Sequence, residues 1–242
     1  EDDNFTLDQT RAKRLLDLIR TTFGEGALDL SAMNGLSFSS LEGELLSRMK
    51  RAGFRTLNLA LVSTDFSTRT RMGRPERGSA FDATVAGAEK SGLDVIAYAI
   101  MGMPGQTIEE MVATLIYLME TRVLIGPSIY YPTPGTVLFD HCRQEGLLPY
   151  DPSSWRSSAF PIETDAFNRL DLVTLFRLTR LINFIKGKMD REEIEEGLSW
   201  AELERFLTGS IRNGTGLDWR CLLRRMIEGK TFLSLRKGGS GE

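Results

Sequence analysis

Histidine and cysteine are almost missing from this chain. His141 is the single histidine, and the two cysteines, Cys142 and Cys221, lie far apart without ligand spacing. Little is left from which to build a zinc site, a histidine-based triad or a disulfide framework, and no metal ligand is assigned. Long apolar runs are missing too. None reaches the roughly eighteen residues of a membrane span, and no signal peptide is visible, so no membrane partner is expected. Neither charge sign dominates: 30 Lys and Arg against 33 Asp and Glu give a net charge of -3, which leaves no footprint for nucleic acid. The expected compartment is the reducing cytoplasm. What is present is a chain of 242 residues, 41% hydrophobic, enough for a sizeable core.

The stretch that organises the chain is the apolar run Val95 to Met101 followed by Gly102-Met103-Pro104-Gly105-Gln106-Thr107. An apolar run without polar alternation predicts a strand covered on both faces, as in a parallel sheet. Gly102 and Gly105 allow close backbone approach, and Pro104 stiffens the turn between them. Thr107 and Glu110 have the spacing of a capping box, so a helix should start there with its positive dipole end toward the loop. Such a loop sits where α/β sheets hold ligands, or else it is a stiff connection with none.

The rest of the pattern alternates. Helices are predicted over residues 8–22 (with Leu15, Leu16, Leu18 and Ile19 buried), 40–52, 81–90 and 108–120. Strands are predicted near residues 27–36, 56–62 and 125–131, with a polar loop over 63–77. The endings Lys50-Arg51-Ala52-Gly53-Phe54 and Glu89-Lys90-Ser91-Gly92-Leu93 repeat at about forty residues, the length of a strand-helix module. The start at Glu1, without methionine, reads as the end of a strand, so the sequence is expected to begin inside a domain. About four parallel strands are expected. They make an incomplete barrel or a small open sheet, and either leaves an edge to cover. From about residue 149 a Pro/Ser-rich connector leads into helices at 165–186, 198–208 and 217–228 and a flexible Gly/Ser tail.

Six motifs stand in order along the chain: residues 1–8, Asn34-Gly35-Leu36, Glu44-Leu45-Leu46 with Met49-Lys50-Arg51-Ala52-Gly53-Phe54, Met72-Gly73-Arg74-Pro75, Gly102 to Thr107, and Tyr131-Pro132-Thr133-Pro134-Gly135-Thr136. Together they resemble the second half of a radical SAM barrel, in the branch that carries a cobalamin-binding domain. The resemblance covers residues 1–148 and implies a partial (β/α)6, TIM-like barrel followed by a helical C-terminal region over 149–242. It implies S-adenosylmethionine, a [4Fe-4S] cluster and, in this branch, cobalamin as cofactors of the parent protein, acting by radical or methyl-transfer chemistry on an organic small-molecule substrate. The cluster loop CxxxCxxC is absent, and Cys142 and Cys221 do not replace three closely spaced thiolates. The expected partner is therefore the missing N-terminal half of the barrel or another chain.

By motif position, Arg74 corresponds to an arginine that can pair with the S-adenosylmethionine carboxylate; otherwise it is a solvated loop residue. Ser63 falls at the SAM-contacting end of a strand, while Val62 stands where relatives carry a hydrogen-bonding side chain. Gly102, Met103, Pro104 and Gly105 would lie beside the adenine. Asn34 is a polar group at the mouth or simply part of an Asn-Gly turn. The alternative functions are a noncatalytic half-barrel completed by a partner chain or a dimer, and a phosphate-binding α/β protein.

Overall fold

The computed structural model describes residues 4–74 and 78–195, with Gly197 and Leu235. Helix α1 (Gln9–Phe23) is capped by Asp8, whose side chain accepts from the Arg11 N–H. An extended segment and a short 3-10 turn then lead to α2 (Gly43–Ala52), which ends at Gly53 and feeds strand β1 (Thr56–Val62). The chain continues through α3 (Phe66–Arg71), α4 (Gly78–Lys90), β2 (Asp94–Met101), α5 (Ile108–Met119), β3 (Leu124–Ile129), α6 (Val137–Gln144) and α7 (Arg169–Met189).

The three strands form one parallel sheet in the order β1-β2-β3. Alternation along each strand divides it into two faces. Leu57, Leu59, Val95, Ala97, Ala99, Met101, Ile125 and Ile129 are buried in a single core with α2, α4 and α5. The opposite face carries Asn58, Ala60, Ile96, Tyr98, Ile100, Leu124, Gly126 and Ser128, paired in register across the strands. In β2 these residues are only half-buried. The expectation of a strand fully covered on both sides is thus corrected: helices cover one side of β2 and leave the other partly open.

Other boundaries shift for physical reasons. Residues 27–36 do not form a regular strand but touch β1 through two single parallel bridges, Leu30 to Phe54 and Leu36 to Leu59, so the described sheet has three strands. The fragment at residues 1–3 lies outside the described residues, as do the helices expected over 198–208 and 217–228. The polar loop over 63–77 contains α3, capped by Asp65, which accepts from the Thr68 N–H at 2.7 Å. Leu15 and Leu18 are exposed rather than buried; Ala12 and Leu16 carry the contact face of α1. Helix α7 starts at Arg169 because Asn168 and Asp171 form a reciprocal capping box, leaving Asp165 outside it. The connector folds into two short 3-10 turns, with the Trp155 indole donating to the Pro149 carbonyl and packing edge-on to Phe139.

Helix α7 belongs to the same core: Leu172, Leu175, Leu178, Ile182 and Ile185 are buried in it. Its Lys186 is fully buried, and Nζ donates to the Leu118 and Thr121 carbonyls at the end of α5. A cation at a helix C-terminus satisfies carbonyls that have no partner within the helix.

Candidate functional site at the carboxyl ends of the strands

The carboxyl ends of β2 and β3 open into a pocket of about 370 Å³. Ile100 and Ser128 form its base, Tyr130, Tyr131 and the start of α6 one wall, and Arg71 and Met72 the other. Thr136 shapes the wall that holds Tyr130 and Tyr131 by capping α6: it accepts from the Phe139 N–H at 3.2 Å and donates to the Thr133 carbonyl at 2.8 Å.

Arg71 reaches this pocket from the end of α3. Its Nη2 donates to Thr68 Oγ1 at 3.0 Å, and no described carboxylate pairs with it. Nη1 lies against Gly105, where a Cβ would approach it to 2.4 Å. Gly105 has φ +79°, a conformation suited to glycine, so residue type and close approach agree at this point. An unpaired guanidinium at a pocket wall is fitted to a carboxylate or phosphate oxygen.

Beneath the mouth lies a buried polar network. Ser63 is 1% exposed, and its hydroxyl donates to Glu110 Oε1 at 2.8 Å. Gln106 Nε2 donates to the same carboxylate oxygen at 3.2 Å and to the Ile100 carbonyl at 3.1 Å, while its Oε1 accepts from the Met103 N–H at 2.9 Å. Buried Arg69 donates to the Ser63 and Thr64 carbonyls at 2.9 and 2.7 Å. The network ties the end of β1, the loop after β2 and the first turn of α5 together. The capping box at Thr107 is consequently half made: Thr107 accepts from the Glu110 N–H, but the Glu110 side chain turns to Ser63 and Gln106.

The last residue of β1 is strained. Val62 has φ +70°, and the Ser63 N–H bonds back to the Leu61 carbonyl at 2.9 Å, a γ-turn centred on a β-branched residue. The pairing with β2 slips there, between Ala60 and Val62. The turn aims Ser63 inward at Glu110.

The residues named from sequence are therefore distributed. Gly102 has φ +82°, and its missing side chain admits Leu172 of α7, whose Cδ1 would lie 2.8 Å from a Cβ. Met103 and Pro104 are buried, and Gly105 supports Arg71. Ser63 is engaged by the internal network. Arg74 is half-buried, with its N–H bonded to the Arg69 carbonyl at 2.8 Å, and Asn34 is exposed in the Asn-Gly turn; neither lines the pocket. Arg71 and Arg69 were not singled out, while Gln106 was read only as part of the loop after β2 and Glu110 only as the capping-box partner of Thr107. A guanidinium three residues before Arg74, and the Gln-x-x-x-Glu spacing over 106–110 at a helix start, were the available signals.

No family model matches the chain. Its fold is similar to that of the radical S-adenosylmethionine methyltransferase TsrM of Kitasatospora setae, solved with cobalamin and a [4Fe-4S] cluster bound. The TM-score is 0.54 at 21% identity, over 63% of this chain and 31% of that one. It is also similar to coproporphyrinogen III oxidase HemN of Escherichia coli, a radical SAM enzyme, with TM-score 0.52 at 19% identity, over 72% and 37% of the two chains. The fold is that of part of a radical SAM barrel. An uncharacterized methyltransferase of Pyrococcus horikoshii is 27% identical over 148 residues, 61% of this chain and 31% of that protein. The chain spans between 31% and 37% of the length of these relatives. In this partial radical SAM barrel the pocket lies at the carboxyl end of the sheet, the end at which closed α/β barrels carry their sites.

Proposed function

We propose that residues 1–148 supply the second half of a radical SAM enzyme's barrel, with 149–242 as its C-terminal extension, and that the mouth pocket holds part of S-adenosylmethionine. The observation that carries this reading is Arg71: a guanidinium with no carboxylate partner among the described residues, cradled on Gly105, beside a pocket with aromatic and apolar walls. A carboxylate at one end of a ligand and a flat ring at the other suit that arrangement. Arg71 takes the carboxylate-pairing role that motif position suggested for Arg74, which stands three residues on and outside the pocket lining. The organic substrate would enter the same barrel.

The residues present do not fit an iron-sulfur cluster. Among the described residues no group of three His, Cys, Asp or Glu side chains stands ready for a metal ion. Cys142 is buried, and burial pushes its thiol pKa up, away from the thiolate that iron requires. The thiolates for a [4Fe-4S] cluster, and any cobalamin site, belong to the missing N-terminal half of the barrel or to a partner chain. Exposed Leu7, Leu15, Leu18 and Phe23 on and beside α1 support such a covering element.

A second reading, a noncatalytic half-barrel, is favoured by one observation. Val62 cannot hydrogen-bond a ligand through its side chain, and the Ser63 hydroxyl is engaged by Glu110. Equilibrium dialysis separates the two readings, using S-adenosylhomocysteine and the complete product of the gene that encodes this chain. Binding that Arg71→Ala weakens by about tenfold, as for a lost charge-assisted bond, supports the SAM pocket. No binding by the parent protein supports the noncatalytic module.

A further inference from the structure

A second pocket lies at the opposite end of the sheet, where the strands begin, with a volume of about 490 Å³. Its walls come from three successive strand-helix units. Lys50 and Arg55 flank the passage from α2 to β1, Val85, Glu89, Leu93 and Val95 surround the passage from α4 to β2, and Arg122 stands just ahead of β3. The remaining wall is Leu235, which lies far beyond α7 in the sequence and is half-buried here.

The floor of this pocket is apolar and its rim is charged. Val85, Leu93 and Val95 are buried. On the rim, Lys50 Nζ donates to the Gly92 carbonyl at 2.6 Å, and Arg122 Nε stands 3.9 Å from Glu89 Oε1. These contacts join the end of α2 to the end of α4, and α4 to the approach to β3. Arg55 Nε stands 3.9 Å from Asp29 Oδ1, and Asp94 adds a further carboxylate to the rim. Charges of both signs, largely facing one another, give an ion little to select. Buried apolar side chains inside a polar rim suit an apolar anchor instead.

We infer that this pocket seats the chain's own apolar run Phe232-Leu233-Ser234-Leu235, with Leu235 as its anchor, so that the region after α7 fastens to the amino-terminal end of the sheet and not to the mouth. Leu235 standing in the wall identifies the occupant, and a volume well above that of one leucine side chain leaves room for its apolar neighbours in the sequence. Because the lining is drawn from three successive units, one anchor ties all three together. Segments near the end of a chain are ordered where something holds them, and an apolar side chain in a rimmed pocket is such a hold. The inference goes beyond the SAM reading and does not depend on it, since the two pockets lie at opposite ends of the strands.

The test is hydrogen exchange followed by mass spectrometry on the complete gene product and its Leu235→Asp, Leu235→Ala and Leu235→Met variants, with S-adenosylhomocysteine binding measured in parallel. Leu235→Asp should speed exchange severalfold in peptides spanning residues 50–55 and 92–95, and leave both the peptides spanning 128–137 and S-adenosylhomocysteine binding unchanged. Leu235→Ala should act in the same direction less strongly, and Leu235→Met, which keeps the volume, should retain the parent's protection. If Leu235→Asp unfolds the protein, the alanine variant decides: faster exchange confined to the two segments supports the seat, and none overturns it. Exchange in those segments that is indifferent to all three substitutions also overturns the inference. Repeating the measurement over a range of protein concentrations, with light scattering, identifies the donor. Protection already complete in the monomer supports a seat filled by the same chain, whereas protection that appears only with dimerisation assigns the seat to a second copy and overturns it. A parent protein that fails to bind S-adenosylhomocysteine would remove the SAM pocket and leave this result standing.

Discussion

The side-chain amide of Asn183 meets both backbone groups of Ile125. Its Oδ1 accepts from the Ile125 N–H at 2.9 Å, and its Nδ2 donates to the Ile125 carbonyl at 2.7 Å. Ile125 lies in β3, the last strand of the sheet, so one residue of α7 occupies the edge that another strand would otherwise take. Unpaired strand edges invite association with other chains. Asn183→Leu, which keeps the volume and loses both bonds, should destabilise the chain by about 1–3 kcal/mol in urea unfolding. It should also raise the apparent mass in light scattering as concentration rises. Unchanged stability and mass would show that α7 covers the edge by packing alone.

Gln106 holds the loop after β2 from within. Replacing it with Leu strands the Met103 N–H and the Ile100 carbonyl and removes one donor from Glu110, all in a part of the molecule with little access to water. A loss of about 1–3 kcal/mol in thermal or urea unfolding is expected. Hydrogen exchange at Met103 should accelerate more than at β2. A variant as stable as the parent would mean that water or backbone movement satisfies those groups.

Gly105 and Arg71 make a separable pair. Gly105→Ala places a Cβ against the guanidinium and a side chain at φ +79°, which costs about 1 kcal/mol in stability. Its larger effect should be on ligand binding, because Arg71 must move. Gly105→Ala and Arg71→Ala should weaken S-adenosylhomocysteine to similar degrees, and the double variant should lose little more. Additive losses would place the two residues in independent roles.

Alkaline pH should destabilise the fold. Burial first, then the hydrogen bond to Asp82, raises the Tyr117 hydroxyl pKa; burial first, then Cys142, raises that of Tyr130; burial raises the Cys142 thiol. Each folded-state pKa lies above its unfolded value, so the folded chain keeps protons that the unfolded chain releases. The stabilisation is complete below the unfolded values and is lost as pH rises through the folded ones. Urea midpoints should be flat at neutral pH and fall above about pH 10. Tyr117→Phe and Tyr130→Phe should each flatten that fall. A midpoint independent of pH in the alkaline range would contradict the burial of these hydroxyls.

Much of the architecture was legible because its signals are local. The run Val95 to Met101, the cap at Thr107 and the stop at Gly53 each depend on a few neighbouring residues, and each marks an element in the structure. The segment over 27–36 has an apolar pattern but pairs with β1 only at Leu30 and Leu36, and pairing is a tertiary property that periodicity does not carry. Leu15 and Leu18 read as core because the pattern shows which residues share a face, not whether anything covers it. The site was harder still. Gly102 reads as a point of ligand approach, whereas its space is taken by Leu172 from a helix seventy residues on. Arg71 reads as one of several loop arginines until Gly105, distant in sequence, is seen to lie under it.

The proposed function makes this chain part of a barrel in which S-adenosylmethionine would be cleaved with electrons from a cluster whose thiolates lie on another segment or chain. The most direct measurement is anaerobic expression of the complete gene product, analysis for iron, sulfide and a cluster absorption band, and assay for 5′-deoxyadenosine on reduction in the presence of S-adenosylmethionine. The account predicts a cluster, release of 5′-deoxyadenosine, and a marked loss of that release in Arg71→Ala with the iron content unchanged. A product that binds no iron and leaves S-adenosylmethionine intact under reduction would contradict it.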